Sequence, residues 1–151
     1  QRIYNLDIKI VRIFNTYGPR MLANDGRVIS NFIMQGLQNK PLTIYGNGDQ
    51  IRSFCYVDDL INGILEIMFC KVNGPINIGH SLEVSIKELA ETIKNKINPR
   101  LEFIYKPLPS DDPLKRNPDL KKVQKIINWS PHTSLEDGLT KTILWFKKNN
   151  L

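Results

Sequence analysis

Two short segments of the sequence carry residue types that bind sugar-like or anionic ligands. The first runs from Arg12 to Arg27, where a strand-like stretch ends in the polar pair Asn15 and Thr16 before a Gly18-Pro19 break. Because open α/β sheets bind ligands outside the carboxyl ends of their strands, this pair could orient a ligand through hydrogen bonds. Asn and Thr also bond neighbouring backbone in ordinary turns, and spacing alone leaves that alternative open.

The second segment is Tyr45–Arg52, which reads YGNGDQIR. Its two glycines would let the backbone approach a ligand closely. Gln50 can hydrogen-bond a base or a sugar, and the guanidinium of Arg52 fits phosphate oxygens. A glycine-rich hairpin with a surface arginine explains the same residues. The glycine pair is not the dinucleotide-binding fingerprint, which needs a third glycine that opens a helix.

The remaining candidates for site chemistry are weaker. Asp111–Arg116 is dense in charge, but two adjacent carboxylates rarely point at one ion without further ligands, so we predict no metal there. His80 and His132 are isolated. Cys55 and Cys70 have no metal-ligand spacing, and we expect two buried free thiols in a reducing compartment.

The elements that would position these residues alternate between strands and helices. Strands are predicted at 8–14 (buried), 42–45, 52–57, 75–79 and 101–105, and helices at 27–38, 58–70, 85–97, after Asp119 and after Ser134. Ser85 and Glu88 have the spacing of a capping box. The apolar residues predicted to face inward from the helix at 58–70 are Leu60, Ile61, Ile64, Leu65 and Met68. Residues 106–118 contain four prolines and are predicted to form an irregular loop. The pattern indicates an α/β fold with helices covering strands.

Length and composition exclude several classes of protein. The chain has 151 residues, of which 41% are apolar and 24% charged, which fits a folded domain rather than wholesale disorder. No apolar run approaches the ~20 residues of a membrane-spanning helix. The net charge of +6 could attract nucleic acid. However, the lysines fall on polar faces of predicted helices, and aromatic residues do not alternate with basic ones, so we predict no nucleic-acid partner.

Several motifs together carry a family resemblance. They are RIFNTYGPRM at 12–21, NDGRV at 24–28, SNF at 30–32, PLTIYG at 41–46, QIRSF at 50–54, YVDDL at 56–60, NIG at 77–79, DDP at 111–113 with Arg116 and Asp119, and WSP at 129–131. With these motifs, essentially the whole chain resembles the UDP-glucuronate decarboxylase (UDP-xylose synthase) family of the extended short-chain dehydrogenase/reductase superfamily.

The resemblance implies the C-terminal part of a Rossmann-like α/β enzyme. Residues 1–151 would combine the last part of the nucleotide-binding sheet with an interleaved sugar-nucleotide-binding subdomain. The N-terminal NAD-binding half, with its glycine-rich loop and Tyr-x-x-x-Lys pair, would be absent, so the isolated chain is expected to be inactive. The implied reaction uses NAD: C4 of UDP-glucuronate is oxidised, the resulting 4-keto acid loses CO2, and the keto group is reduced to give UDP-xylose.

The resemblance also implies roles for individual residues. Thr16 and Arg27 would contact NAD, and the residues that would bind the UDP-sugar are Asn15, Asn31, Thr43, Tyr45, Gln50, Arg52 and Arg116. Arg116 matches an arginine with an accessory catalytic role in related decarboxylases. Since arginine keeps its proton at ordinary pH, we expect Arg116 to hold the sugar carboxylate or to steady the enolate left by CO2 loss, rather than to donate a proton.

The expected partners are a UDP-sugar substrate and NAD, with no nucleic acid and no metal, and the complete enzyme is expected to be a homodimer. The chain starts at Gln1 rather than Met, and we expect a piece of a longer, cytoplasmic protein, with an upstream Golgi or ER membrane anchor as an alternative. Other functions left open are a dTDP-glucose 4,6-dehydratase-like or epimerase-like sugar-nucleotide enzyme, and a truncated, non-catalytic module that binds a sugar nucleotide.

Overall fold

The computed structural model describes residues 3–4 and 6–150, so the two ends of the predicted range 1–151 lie outside the described residues. The strands are β1 (Lys9–Ile13), β2 (Thr16–Tyr17), β3 (Leu42–Tyr45), β4 (Ile51–Arg52), β5 (Cys55–Tyr56), β6 (Gly74–Ile78), β7 (Val84–Ser85), β8 (Phe103–Lys106) and β9 (Lys115–Arg116). The helices are α1 (Val28–Leu37), α2 (Val57–Phe69), α3 (Ile86–Ile97), α4 (Lys121–Ile127) and α5 (Leu135–Asn150). The prediction of a mixed α/β fold is confirmed.

The strands form small sheets in which most pairs are parallel. β1 pairs with β6, β2 with β5 and β3 with β8, all in parallel. β4 lies between β7, which is antiparallel to it, and β9, which is parallel. Parallel partners need a crossover connection, usually a helix, and here α1, α2 and α3 lie between the paired strands along the chain.

Two separate clusters of buried side chains hold these elements together. In the first, α1, α3 and α5 pack around β3, with Phe32, Ile93 and Phe146 completely or almost completely buried. In the second, α2 and α4 pack against β6, with Ile76 and Trp129 among the buried residues. Among the described residues no helix is long and apolar enough to cross a membrane.

The buried face of α2 differs from the prediction. Three residues that were predicted to face inward are about half exposed, namely Ile61, Leu65 and Met68. The helix instead buries an adjacent face, made of Asp59, Leu60, Gly63 and Ile67. Asp59 is buried because its carboxylate accepts the main-chain N–H groups of His132 and Thr133, at 3.2 and 2.8 Å.

The prediction of a buried first strand is wrong for the described residues. The side chains of Ile8, Ile10 and Ile13 are 43%, 51% and 57% exposed. The described chain leaves these three side chains about half uncovered, and β1 has a hydrogen-bonded neighbour on one edge only, which is β6. One of the expected buried thiols is also only half-buried: Cys55 lies in the core, whereas Cys70 is partly exposed at the end of α2.

The secondary structure of two other segments differs from the prediction. The extended stretch at 52–57 splits into β4, β5 and the first turn of α2. The loop at 106–118 is partly ordered, because β9 pairs with β4 and the N–H of Ile51 donates to the carbonyl of Leu114 at 2.8 Å. An ion pair of 2.7 Å between Lys115 and Glu83 pins the same loop. Asp119 accepts the N–H of Lys121 at 2.9 Å, although Leu120 is the residue that directly precedes α4.

Candidate functional site

One cavity of about 700 Å³ brings together the site residues predicted from the sequence. They reach it from the end of β1, the face of α1, the edge of β3, and the paired strands β4 and β9. The predicted residues that line it are Asn15, Thr16, Arg27, Asn31, Thr43, Tyr45, Gln50, Arg52 and Arg116. The fold brings these residues together around one cavity. Their individual roles stay predictions.

Asn15 and Thr16 reach the cavity just beyond the carboxyl end of β1, as expected for a ligand site in an open α/β sheet. The main-chain carbonyl of Asn15 accepts the N–H of Cys55 at 2.8 Å, which ties this end to β5. The hydroxyl of Thr16 donates to the carbonyl of Phe14 at 2.9 Å. That bond is ordinary turn chemistry, so Thr16 can offer a ligand only the remaining acceptor capacity of its oxygen.

One polar stripe of α1 faces the cavity. Arg27, Asn31 and Gln35 are four residues apart, which places them on the same side of the helix, and all three line the cavity. Asp25 braces the start of this stripe, since its carboxylate accepts the N–H of Arg27 at 3.0 Å and the hydroxyl of Ser30. Gln35 was missed by the sequence reasoning. Its spacing from Asn31 is the signal that could have found it.

The free edge of β3 forms another wall. The N–H groups of Leu42 and Gly46 donate toward β8, at 2.9 and 2.8 Å. Because successive residues of a strand direct their main-chain groups to opposite edges, Thr43 and Tyr45 direct theirs away from β8, toward the cavity that both residues line.

Side-chain amides occupy part of this free edge. Gln35 binds Thr43 twice: its Oε1 accepts the main-chain N–H at 3.0 Å, and its Nε2 donates to the hydroxyl at 3.2 Å. Gln50 is buried and donates from Nε2 to the carbonyl of Tyr45 at 2.9 Å. The Oε1 of Gln50 is buried without a hydrogen-bond partner among the described residues.

Two arginines lie side by side at the cavity. Arg52 of β4 and Arg116 of β9 are register partners on neighbouring strands, and both line the cavity. Arg52 is only 8% exposed, and its guanidinium donates to Asp112 at 2.5 Å and to the carbonyl of Ile51 at 2.8 Å. Arg116 is exposed. The pair offers one fixed and one freer cation to the same anionic ligand.

Asp112 therefore has a different role from the metal ligand considered above. Its carboxylate is engaged by Arg52, and Asp111 beside it is exposed. Within the described residues no group of three or more His, Cys, Asp or Glu side chains could hold a metal ion. Asp112 and Lys106 both line the cavity and were not predicted as ligand contacts.

Gly46 and Gly48 of the Tyr45–Arg52 segment are not among the residues that line the cavity. Gly46 and Gly48 have φ of +62° and +81°, so the turn requires glycine for its backbone shape. A Cβ at Gly48 would also lie 3.0 Å from the Cβ of Lys87, whose N–H donates to the Gly48 carbonyl at 3.0 Å. These glycines allow the turn to pack against the start of α3.

Burial keeps two ionisable groups in this part of the chain, Cys55 and Tyr17, in their protonated forms at neutral pH. Burial raises the pKa of the Cys55 thiol to about 12, so it stays protonated at neutral pH. Burial also raises the pKa of Tyr17, whose hydroxyl donates to the carbonyl of Leu135 at 3.3 Å. The residues that line the cavity offer cations and hydrogen-bonding groups that suit an anionic, hydroxylated ligand.

The sequence matches a family model and several curated proteins. Residues 1–79 match the family model described as NAD dependent epimerase/dehydratase family. The chain is 46% identical over 143 residues to UDP-glucuronic acid decarboxylase 1 of Xenopus tropicalis, covering 95% of this chain and 34% of that protein. It is 47% identical over 138 residues to UDP-glucuronic acid decarboxylase 3 of Arabidopsis thaliana, covering 91% and 40%.

Solved structures of sugar-nucleotide enzymes share the fold. UDP-glucose 4-epimerase from Thermotoga maritima, solved with UDP-glucose, superposes with a TM-score of 0.93 at 30% identity, over 99% of this chain and 49% of that one. UDP-glucuronic acid 4-epimerase from Bacillus cereus, solved with UDP-glucuronic acid and NAD, gives 0.87 at 31% identity, over 97% and 47%. The chain spans about a third of the length of the curated relatives and about half of these structures.

Proposed function

Because the chain belongs to the NAD dependent epimerase/dehydratase family, we propose that it is the sugar-nucleotide-binding, C-terminal part of a UDP-glucuronic acid decarboxylase. The complete enzyme would convert UDP-glucuronate to UDP-xylose and CO2. The observation that carries this proposal is the single cavity on which cationic and hydrogen-bonding side chains from distant parts of the chain converge. Relatives at 42–47% identity over at least 91% of the chain, all named UDP-glucuronic acid decarboxylases, support the choice of reaction.

In this proposal the arginines bind the anionic parts of the substrate. Arg52 uses part of its guanidinium to bind Asp112 and Ile51, and its other N–H groups remain for phosphate oxygens. Arg116, on the neighbouring strand, supplies a second positive charge. A fixed cation lowers the energy of a sugar carboxylate held in place and of the enolate that forms as CO2 leaves, and neither role requires proton transfer.

The same cavity has groups that fit part of an NAD cofactor. Hydrogen-bonding side chains of Asn15 and Thr16 lie at the carboxyl end of β1, and the cation of Arg27 lies at the start of α1. These are the kinds of group that hold ribose hydroxyls, amides and phosphates. When bound, NAD would supply hydride acceptance and return at C4 of the sugar. We further propose that the complete enzyme is a homodimer.

The test is product analysis with the complete polypeptide encoded by the gene. Incubation with UDP-glucuronate and NAD should release CO2 and form UDP-xylose, detected by chromatography and mass spectrometry. Absence of any turnover of UDP-glucuronate would contradict the proposal. The start of the gene is equally informative, because the proposal requires a glycine-rich loop and a Tyr-x-x-x-Lys pair upstream of this chain.

An epimerase is the second candidate. It is favoured by the close superposition on a solved UDP-glucuronic acid 4-epimerase, which acts at the C4 position of the same sugar acid. The same incubation separates the two functions, because inversion at C4 leaves the carboxylate in place. UDP-galacturonate without CO2 release would favour the epimerase.

A further inference from the structure

The amide of Gln35 links α1 to the free edge of β3 in a way that fixes a hydroxyl at the cavity. Gln35 and Thr43 both line the cavity, and they share two hydrogen bonds of 3.0 and 3.2 Å. Both side chains are only partly buried, so they border the open space rather than the core.

The chemistry of these two bonds fixes the direction of each donor. A main-chain N–H can only donate, so the atom of Gln35 that faces the N–H of Thr43 is its carbonyl oxygen, Oε1. The other end of the amide is then Nε2, which can only donate, and it faces the Thr43 hydroxyl. The hydroxyl oxygen therefore accepts from Gln35, and its own proton points elsewhere.

No acceptor in the described part of the chain takes that proton. Thr16, at the other side of the same cavity, differs because its hydroxyl donates to the Phe14 carbonyl. Thr43 is thus the threonine at this cavity whose donor is left for a ligand.

We propose that Gln35 is a positioning residue that turns the Thr43 hydroxyl into a hydrogen-bond donor for an acceptor oxygen of the nucleotide bound in this cavity. The inference rests on the proposed function, because it needs a nucleotide in the cavity. It goes beyond that function because it names Gln35 as the residue that makes the Thr43 hydroxyl the donor, rather than the acceptor, of the hydrogen bond to the nucleotide.

The substitution Gln35→Glu distinguishes this positioning role from a purely structural link between α1 and β3. A Glu carboxylate still accepts the main-chain N–H of Thr43, so the link between α1 and β3 is kept. Its second oxygen, however, has no proton to donate and accepts the Thr43 hydroxyl instead. Gln35→Glu therefore reverses the hydroxyl and removes the donor from the ligand.

The experiment is a double-mutant cycle on the affinity for UDP, measured by titration calorimetry on the complete polypeptide. We expect Gln35→Glu and Thr43→Val each to weaken binding about two- to tenfold, which is the effect of losing one hydrogen bond. In the Thr43→Val background, Gln35→Glu should have no further effect. Gln38→Glu places the same charge on the exposed end of α1 and should leave the affinity unchanged.

The outcomes are distinguishable. If Gln35→Glu weakens binding equally in both backgrounds, charge repulsion explains it and the inference is wrong. If wild-type protein does not bind UDP, the proposed function fails and the inference fails with it. Should Gln35→Glu not fold, Gln35→Met replaces it in the cycle. Methionine adds no charge and cannot orient the Thr43 hydroxyl. Gln35→Met should therefore weaken UDP binding in the protein that has Thr43, and should have no effect in the Thr43→Val variant.

Discussion

Arg116 is an exposed cation beside a more deeply buried one. Its register partner Arg52 is held by Asp112, so the position of Arg52 is set before a ligand arrives. Arg116 belongs to the same two-residue strand as Lys115, but successive side chains of a strand point to opposite faces. Lys115 pairs with Glu83, whereas Arg116 lines the cavity. This alternation provides a matched control for the role of Arg116.

Replacing Arg116 should impair the reaction through charge rather than through folding. We expect Arg116→Ala to lower kcat/KM of the complete enzyme for UDP-glucuronate at least tenfold, because a cation beside a developing negative charge is lost. Arg116→Lys keeps the charge and should retain part of the activity. Lys115→Ala removes one charge from the adjacent position and should have little effect. Steady-state assays of CO2 release measure all three, and unaltered rate and affinity in Arg116→Ala would refute the role.

The sequence predicted most of the residues at this site but not their contacts. Arg52 is predicted to bind phosphate, but its pairing with Asp112 is not predicted, because sixty positions separate the two along the chain. Gln35 escaped notice because it lies between apolar residues of α1, and its partner Thr43 lies in a different element. Pairings between distant elements depend on the register of β3 and β9, which local patterns do not contain.

At the level of elements, α2 shows why the prediction of its inward face was wrong. The apolar residues form one broad stripe, but the helix buries only the edge of that stripe with Leu60 and Ile67, and Ile61, Leu65 and Met68 stay exposed. Gly63 has no apolar signal, yet it lies at the centre of the buried face. A Cβ there would be 2.7 Å from Cε2 of Trp129 and closer still to Ile78. The absence of a side chain at position 63 lets the indole ring pack directly on the helix.

Gly63→Ala should therefore destabilise the protein, although alanine is the better helix former. We expect a loss of about 1–3 kcal/mol in the free energy of unfolding, because the added methyl group overlaps Ile78 and Trp129. Chemical denaturation of the complete polypeptide measures it. Glu66→Ala, at an exposed position of the same helix, should change stability by no more than about 0.5 kcal/mol. A neutral or stabilising Gly63→Ala would contradict the packing described for this face.

The capping box of α3 was fully readable from sequence because it is local. The hydroxyl of Ser85 accepts the N–H of Glu88 at 3.1 Å, and the Glu88 carboxylate accepts the N–H of Ser85 at 2.8 Å. These hydrogen bonds from Ser85 hold the pKa of Glu88 below its usual value. The box fixes the start of α3, against which the glycine turn of the site packs.

The capping box makes the free energy of unfolding depend on pH, and its contribution falls toward acid. Since the pKa of Glu88 is lower in the folded state, its contribution is complete above the usual glutamate pKa of about 4.3 and is lost as the pH falls through the lowered value. Urea denaturation between pH 7 and 3 should show a shallower acid decline for Glu88→Gln than for wild type. Glu91→Gln, an exposed position on the same helix, should follow the wild-type curve. Identical slopes for all three would rule out the linkage.

At the scale of the whole molecule, the described chain leaves the second edge of β1 unpaired and several apolar side chains uncovered. β1 is hydrogen-bonded to β6 alone, and its isoleucines are about half exposed. An unpaired, apolar strand edge is prone to pair with other chains. The sequence also contains no Tyr-x-x-x-Lys pair, which the family resemblance assigns to catalysis.

The 151-residue chain produced alone should thus be inactive and should self-associate. We expect no CO2 release from UDP-glucuronate and no tight binding of NAD, in contrast to the complete polypeptide. Ile10→Lys should reduce the self-association seen by light scattering, because it places a charge on the exposed strand. Asn95→Lys adds one charge at an exposed position of α3 and should not help. Tight NAD binding by the isolated chain, or equal scattering by the two variants, would contradict this prediction.

The strand pairing also has a consequence for how the chain acquires its structure during synthesis. Lys9 pairs with Gly74, Leu42 with Phe103 and Ile51 with Lys115, each about sixty residues apart along the chain. Such non-local pairs form slowly, because a long loop must close before any hydrogen bond is gained. On the ribosome, β1, β3 and β4 emerge well before their partners. These early strands must wait for partners that are synthesised about sixty residues later, so the cavity can close only after β9 has left the exit tunnel.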